Sequence, residues 1–503
     1  MTVTISPGAF TLADLARLAE GEALRLAEGW QHKVQAAHDA LAARIAEGVP
    51  LYGINTGFGK LASTRIPPDQ LAQLQVNLVQ SHAAGVGAPL PAPVVRLTMA
   101  LHAASLACGH SGVRVQVVET LVALLNAGVV PEIPGQGSVG ASGDLAPLAH
   151  LALVLIGQGF ATHDGARLTG AEALARAGLA PLVLGPKEGL ALLNGTRVSA
   201  ALAIAAHARA TTLLQASLVI GALSVDGARG SDTPFDPRIH AVRGQKGQEA
   251  TAATLRALLS GSQIRESHRE GDTRVQDPYS LRCQPQVAGA CHDLLASVAT
   301  VLAAEANAVT DNPLVFGHDI LSGGNFHAMP MAFASDQIAL ALATLGNIAE
   351  RRIALLVDPV TSGLPAFLAP APGLASGFMI AQVTAAALTA ENRALAHPRS
   401  VETLPTSANQ EDHVSMATGA GLRLAPMLDN FEAILAVEYL CAAQAVEFHR
   451  PLRSSAPLEE AIALLRAEVP RWEQDRVMAP DIEAARALLP ALSPLAHFPL
   501  AGA

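Results

Sequence analysis

The stretch Gly137–His150 reads GSVGASGDLAPLAH, which sets Ser142 between Ala141 and Gly143 with Asp144 and an apolar run behind them. No histidine stands beside the serine to activate it, and no lysine is placed to hold a phosphate. Glycine lacks a side chain, so the Gly143 nitrogen can approach the Ala141 carbonyl two residues back without a clash. Attack there closes a five-membered ring. Loss of water and then of the Ser142 hydroxyl leaves an exocyclic methylidene, a strong electrophile made without an added cofactor. Taken alone, the tripeptide reads more plainly as a turn with a helix N-cap. A Ser–His–Asp triad on Ser142 is compatible with spacing, since triads assemble from distant segments. The nucleophile elbow G-x-S-x-G is nevertheless absent.

Other residues invite chemistry to different degrees. The chain has three tyrosines, and two of them, Tyr52 and Tyr279, fall in glycine- or proline-bearing polar loops, LYGINTGFG and QDPYSLRCQPQ. That placement favours acid/base work over simple packing about as much as not. Gly135–Gly140 matches the dinucleotide pattern G-x-G-x-x-G, with Asp164 downstream. Pro131 and Pro134 spoil the central strand that pattern requires. The Lys–Ser/Thr ending of a P-loop is missing, as are H-E-x-x-H and C-x-x-C, so no metal site is expected. Of the four lysines, Lys187 in GPKEG is the best Schiff-base candidate, but nothing beside it suggests phosphate binding. Neither pyridoxal phosphate nor NAD is expected.

Helices must position these loops. TLADLARLAEG opens with a capping-box-like Thr11–Asp14 pair, and Leu12, Leu15 and Leu18 follow at helical spacing. PLYGINTGFGKLASTRIPPD cannot be helical, because its glycines and prolines break a helix interior. From Gln70 onward Ala/Leu-rich segments alternate with Gly/Pro-rich loops near 131–143, 185–195, 229–236, 271–285 and 311–325. PLEEAIALLRAEV puts Pro457 at a helix start, with Leu458, Ile462, Leu465 and Val469 on one face. The expected architecture is mostly α: a smaller mixed N-terminal domain over 1–110 carrying active-site loops, then a long helical bundle over 111–503 carrying the tripeptide.

Composition narrows the partners. Half of the 503 residues are hydrophobic, 15% are charged and 3% aromatic, so Leu and Ala fill the core and favour helix. A net charge of −10 argues against nucleic acid. No unbroken apolar run is long enough for a bilayer; the best, Leu145–Gly157, is interrupted by Pro147 and His150. The N-terminus lacks a signal peptide's basic and apolar regions. Cys108, Cys283, Cys291 and Cys441 are scattered, as in reduced cytoplasmic proteins. A mean hydropathy of +0.33 suggests that apolar surface is also buried between subunits.

The string GSVGASGDLAPLAH closely resembles the signature of the aromatic amino-acid ammonia-lyases, which carry a methylidene-imidazolone (MIO) prosthetic group. Similar blocks are YGINTGFG, LLNGT, QDPYSLRCQPQ, TDNPL, SGGNFH and NQEDHVSM, running from Tyr52 to Met416. Within the family, Ser81–His82 and Glu411 resemble the members that act on histidine. The alternative is a lyase or aminomutase for phenylalanine or tyrosine. Met329 departs from the polar residue expected there. The resemblance implies elimination of ammonia from L-histidine to trans-urocanate, with MIO formed from Ala141, Ser142 and Gly143. It implies that Tyr52 is the base and that Tyr279 supports the electrophile or relays a proton. Arg282 would bind the substrate carboxylate, and Asn194 would donate to that carboxylate or to the MIO carbonyl. Gln276 and Phe326 would line the site, with Glu411 accepting from the imidazole and His82 donating to it. A homotetramer with shared active sites is implied as well.

Overall fold

The computed structural model describes residues 1–272 and 274–498. Where sequence signals are local, the elements follow them. Thr11 and Asp14 bond each other's backbone N–H and start the helix Leu12–Ala19, which buries Leu15 and Leu18. Pro457 lies in the first turn of Ala456–Glu468, whose buried residues include Leu458, Ile462 and Leu465. Helix Ala92–Ala107 is buried along nearly its whole length, so its apolar residues lie all round it and not in a stripe, with Arg96, Thr98, His102 and Ser105 buried among them.

The chain forms two compact units, each assembled from three segments. The first comprises 1–205, 299–336 and 398–424; the second comprises 206–298, 337–397 and 425–503. All the named strands among the described residues belong to the first. They form a parallel pair, Thr2–Ile5 with Ala23–Leu26, and three small antiparallel arrangements. The second unit is helical throughout its described elements. A mostly α protein with a mixed part is therefore present, but the mixed part is not the first 110 residues and is not the smaller. The chain returns to it twice, through segments that no local signal marks.

One further expectation is corrected. The segment 185–195 is not all loop: it contains the helix Glu188–Leu193. Two helices, Arg197–Gly227 and Gln284–Ala306, are long and apolar enough to cross a membrane. A search for unbroken apolar runs misses them because polar residues such as His207 and His292 interrupt each. In the first, 83% of the apolar window is buried within the protein, as in a core helix; in the second, 39%. The second unit's interior also holds ions. Arg352 meets Glu438 through Nε at 2.5 Å and Nη2 at 2.9 Å, and Ser224 donates to the same carboxylate at 2.7 Å.

Candidate active site

The tripeptide sits on a tight left-handed turn in the first unit. Ser142 has φ +53° and Gly143 has φ +78°, the region where a side chain is disfavoured. A Cβ on Gly143 would lie 2.1 Å from the Gly195 carbonyl oxygen. That close approach is fixed on both sides: Gly195 donates its N–H to the Ser142 carbonyl at 3.2 Å, and Asp144 donates to the Gly195 carbonyl at 2.8 Å. Asp144 anchors the turn from below. Its Oδ2 accepts from the Val198 and Ser199 N–H groups at 2.9 and 2.8 Å, capping the helix that starts at Arg197, and its Oδ1 accepts from Thr418 at 2.6 Å. An anion at a helix N-terminus is favourable. Burial still raises the Asp144 pKa above the ordinary carboxylate value, outweighing these donors.

Ala141 and Ser142 line a cavity of about 950 Å³, a size suited to a small ligand. Tyr52, His82, Asn194, Phe326 and Glu411 line the same cavity. Tyr52 comes from the glycine-bearing loop, where Gly53 packs so close to Leu190 that a Cβ would fall 2.6 Å from its Cδ2. Gly59 donates its N–H to the Tyr52 phenol oxygen at 3.1 Å, a contact that the deprotonated oxygen would keep. Glu411 follows three successive left-handed residues, Ser407, Ala408 and Asn409. Its Oε2 is buried without a hydrogen-bond partner.

His82 ends the helix Leu71–His82, and its Nδ1 lies 2.9 Å from the Leu78 carbonyl. A carbonyl only accepts, so Nδ1 carries the proton. Burial lowers the His82 pKa and keeps the ring neutral. Its remaining nitrogen, Nε2, is then an acceptor, so the expectation that His82 donates to a ligand is reversed.

Gly143, under the turn, completes the tripeptide. Gln276, Tyr279 and Arg282 lie in the second unit. Gln276 and Tyr279 are exposed, the latter at 71%. The Arg282 guanidinium stacks 4.5 Å from the Tyr279 ring centre, and its Nε donates to the Asp277 carbonyl at 2.9 Å. The third tyrosine, Tyr439, is a core residue donating to the Ala461 carbonyl. Asp164, the acidic residue of the dinucleotide pattern, sits at an exposed turn between Phe160–His163 and Ala166–Thr169. Pro134–Gln136 there pairs antiparallel with Val86–Pro89 and is not part of a strand–helix–strand unit.

Sequence reasoning missed several residues of the site. Lys60, His327 and His413 also line the cavity. Lys187 is fully buried in an ion pair with Asp311, Nζ to Oδ2 at 2.6 Å. Asp311 lies in the block TDNPL, so the signal was present without its partner.

The comparisons agree on the architecture. A family model described as aromatic amino acid lyase matches residues 10–467. Histidine ammonia-lyase from Trypanosoma cruzi is similar at 40% identity and a TM-score of 0.91, covering 99% of this chain and 95% of that one. Tyrosine aminomutase from Streptomyces globisporus is similar at 37% identity and a TM-score of 0.91, covering 97% of each chain. Phenylalanine aminomutase from Pantoea agglomerans is similar at 32% identity and a TM-score of 0.92, covering 97% of this chain and 98% of that one.

Proposed function

The chain belongs to the aromatic amino acid lyase family, and from that premise we propose that it eliminates ammonia from L-histidine to give trans-urocanate. The observation carrying this choice is the pairing, in the tripeptide's own cavity, of a neutral His82 with the unpartnered Glu411 carboxylate oxygen. An imidazole ring suits that pair. Its N–H donates to His82 Nε2, and in the imidazolium form the second N–H donates to Glu411 Oε2. A phenyl ring would leave the buried Glu411 oxygen unsatisfied and offer His82 Nε2 no donor.

Ala141, Ser142 and Gly143 fit the MIO group, because the left-handed turn and the cradle at Gly195 admit only a glycine at position 143. When formed, the group supplies an electrophile that turns the amine into a better leaving group. The chain's own residues do the rest. Tyr52 takes the β-proton, with the Gly59 N–H holding its oxygen in place. Phe326 closes the apolar side of the cavity. Arg282 binds the substrate carboxylate in a two-pronged contact, with Tyr279 and Gln276 beside it. These three are supplied by neighbouring copies in a homotetramer, which is consistent with the exposure of Gln276 and Tyr279 and the partial exposure of Arg282 in the isolated chain.

Purified protein incubated separately with L-histidine, L-phenylalanine and L-tyrosine tests this reading. Ammonia release and urocanate absorbance are expected with histidine. Release from phenylalanine or tyrosine in its place would overturn the substrate.

A further inference from the structure

Asn194 is 2% exposed, and its neighbours decide which end of its amide meets a ligand. Nδ2 donates to Asp311 Oδ1 at 3.2 Å and to the Asn312 carbonyl at 2.9 Å. An ionised carboxylate and a carbonyl accept only, so both amide hydrogens are used. Asn194 Oδ1 is buried and has no hydrogen-bond partner. Asn194 and Asn312 both line the cavity.

The orientation has a built support. Asp311 Oδ1 also accepts the Asn312 N–H at 2.7 Å, and Oδ2 accepts from Lys187 at 2.6 Å. Lys187 immediately precedes the helix Glu188–Leu193 and Asn194 immediately follows it. One carboxylate therefore clips both ends of this element, about 9 Å long at 1.5 Å per residue. Both side chains of the ion pair are fully buried. A buried ammonium must keep an acceptor, which pins Asp311 and, through it, the amide.

We propose that Lys187 and Asp311 are positioning residues that hold Asn194 with Oδ1 free, so that Asn194 accepts an N–H of the substrate's α-ammonium. With its hydrogens spent, Asn194 does not donate to the carboxylate or to the MIO carbonyl, and that expectation is replaced. The proposal rests on the ammonia-lyase reading only in requiring an amine-bearing substrate.

Asp311→Asn tests it. The new amide must turn its oxygen to Lys187, so its NH₂ faces Asn194 Nδ2 and forces the Asn194 amide over. KM for L-histidine should rise about 10- to 100-fold, the loss of one hydrogen bond to a charged group. Competitive inhibition by imidazolepropionate, which lacks the amine, should stay unchanged. In the double variant Lys187→Met/Asp311→Asn the amide at 311 is free to offer its oxygen to Asn194, and histidine affinity should return. A purely structural pair predicts a double variant no better than the single. Equal weakening of both ligands, or no recovery in the double variant, overturns the proposal. If the single variant does not fold, the neutral double variant is compared with wild type: retained histidine affinity supports the proposal, and selective loss of it overturns the proposal. Intact mass reports in each case whether the tripeptide has lost its two waters. If wild type turns over phenylalanine or tyrosine instead, the substrate reading fails, and the same comparison is made with that amino acid and its deaminated analogue.

Discussion

Replacing Gly143 with alanine attacks the turn where it is tightest. The added Cβ would sit 2.1 Å from the Gly195 oxygen and 2.4 Å from its carbonyl carbon. Carbon–oxygen contacts ordinarily begin near ~3.3 Å, so Gly195 must retreat by about 1 Å. That movement breaks the bonds from Gly195 to Ser142 and from Asp144 to Gly195, about 1 kcal/mol each. A left-handed alanine adds about 1–2 kcal/mol. The sum is a destabilisation of roughly 3–4 kcal/mol. Gly165 provides the control: its φ is +75°, but nothing lies within 4 Å of a Cβ there, so Gly165→Ala should lose only about 1–2 kcal/mol. Urea unfolding of the two variants measures the difference directly. Intact mass should also show that Gly143→Ala retains the two waters that wild type loses. Equal stability of the two variants would refute the packing argument.

Three further outcomes are expected. His82→Leu should lower kcat/KM for histidine far more than any activity on phenylalanine or tyrosine; equal losses on all three would mean that His82 only holds the fold. Arg352→Met leaves the buried Glu438 carboxylate with the Ser224 hydroxyl but no cation and should lose about 3–5 kcal/mol in a denaturant titration, whereas a loss below that of an exposed ion pair would contradict it. His102 is fully buried, and burial together with the nearby Arg197 holds its pKa well below the ordinary value. The unfolded chain therefore binds the proton first: stability is full above about pH 6.5 and declines below it at about 1.4 kcal/mol per pH unit. His102→Gln should make the fall in unfolding free energy between pH 7 and 5 shallower, and identical slopes would count against this.

What could be read from the chain divides by range. The Thr11–Asp14 cap and the Pro457 helix depend on neighbours a few residues apart, and both are as the pattern implies. Tyr52, His82, Ser142, Asn194, Phe326 and Glu411 could be named from blocks, yet no spacing rule brings them to one cavity. Their roles within it were less legible. That His82 accepts depends on the Leu78 carbonyl, and that Asn194 accepts depends on Asp311, more than a hundred residues away. Lys187 was visible only as a lone lysine, because its partner lies 124 residues downstream. The boundary at residue 110 failed for the same reason: segments 299–336 and 398–424 join the first unit through contacts that leave no local mark.

The support beneath the tripeptide is also spread over the time of synthesis. Asp144 receives its bond from Thr418, which emerges from the ribosome 274 residues later. At roughly 5–20 residues per second, that interval is about 14–55 s. For most of it the nascent turn has Gly195 and Ser199 to lean on but not Thr418. A chain stopped after codon 143 but before codon 418 carries the complete Ala–Ser–Gly sequence on an unfinished foundation.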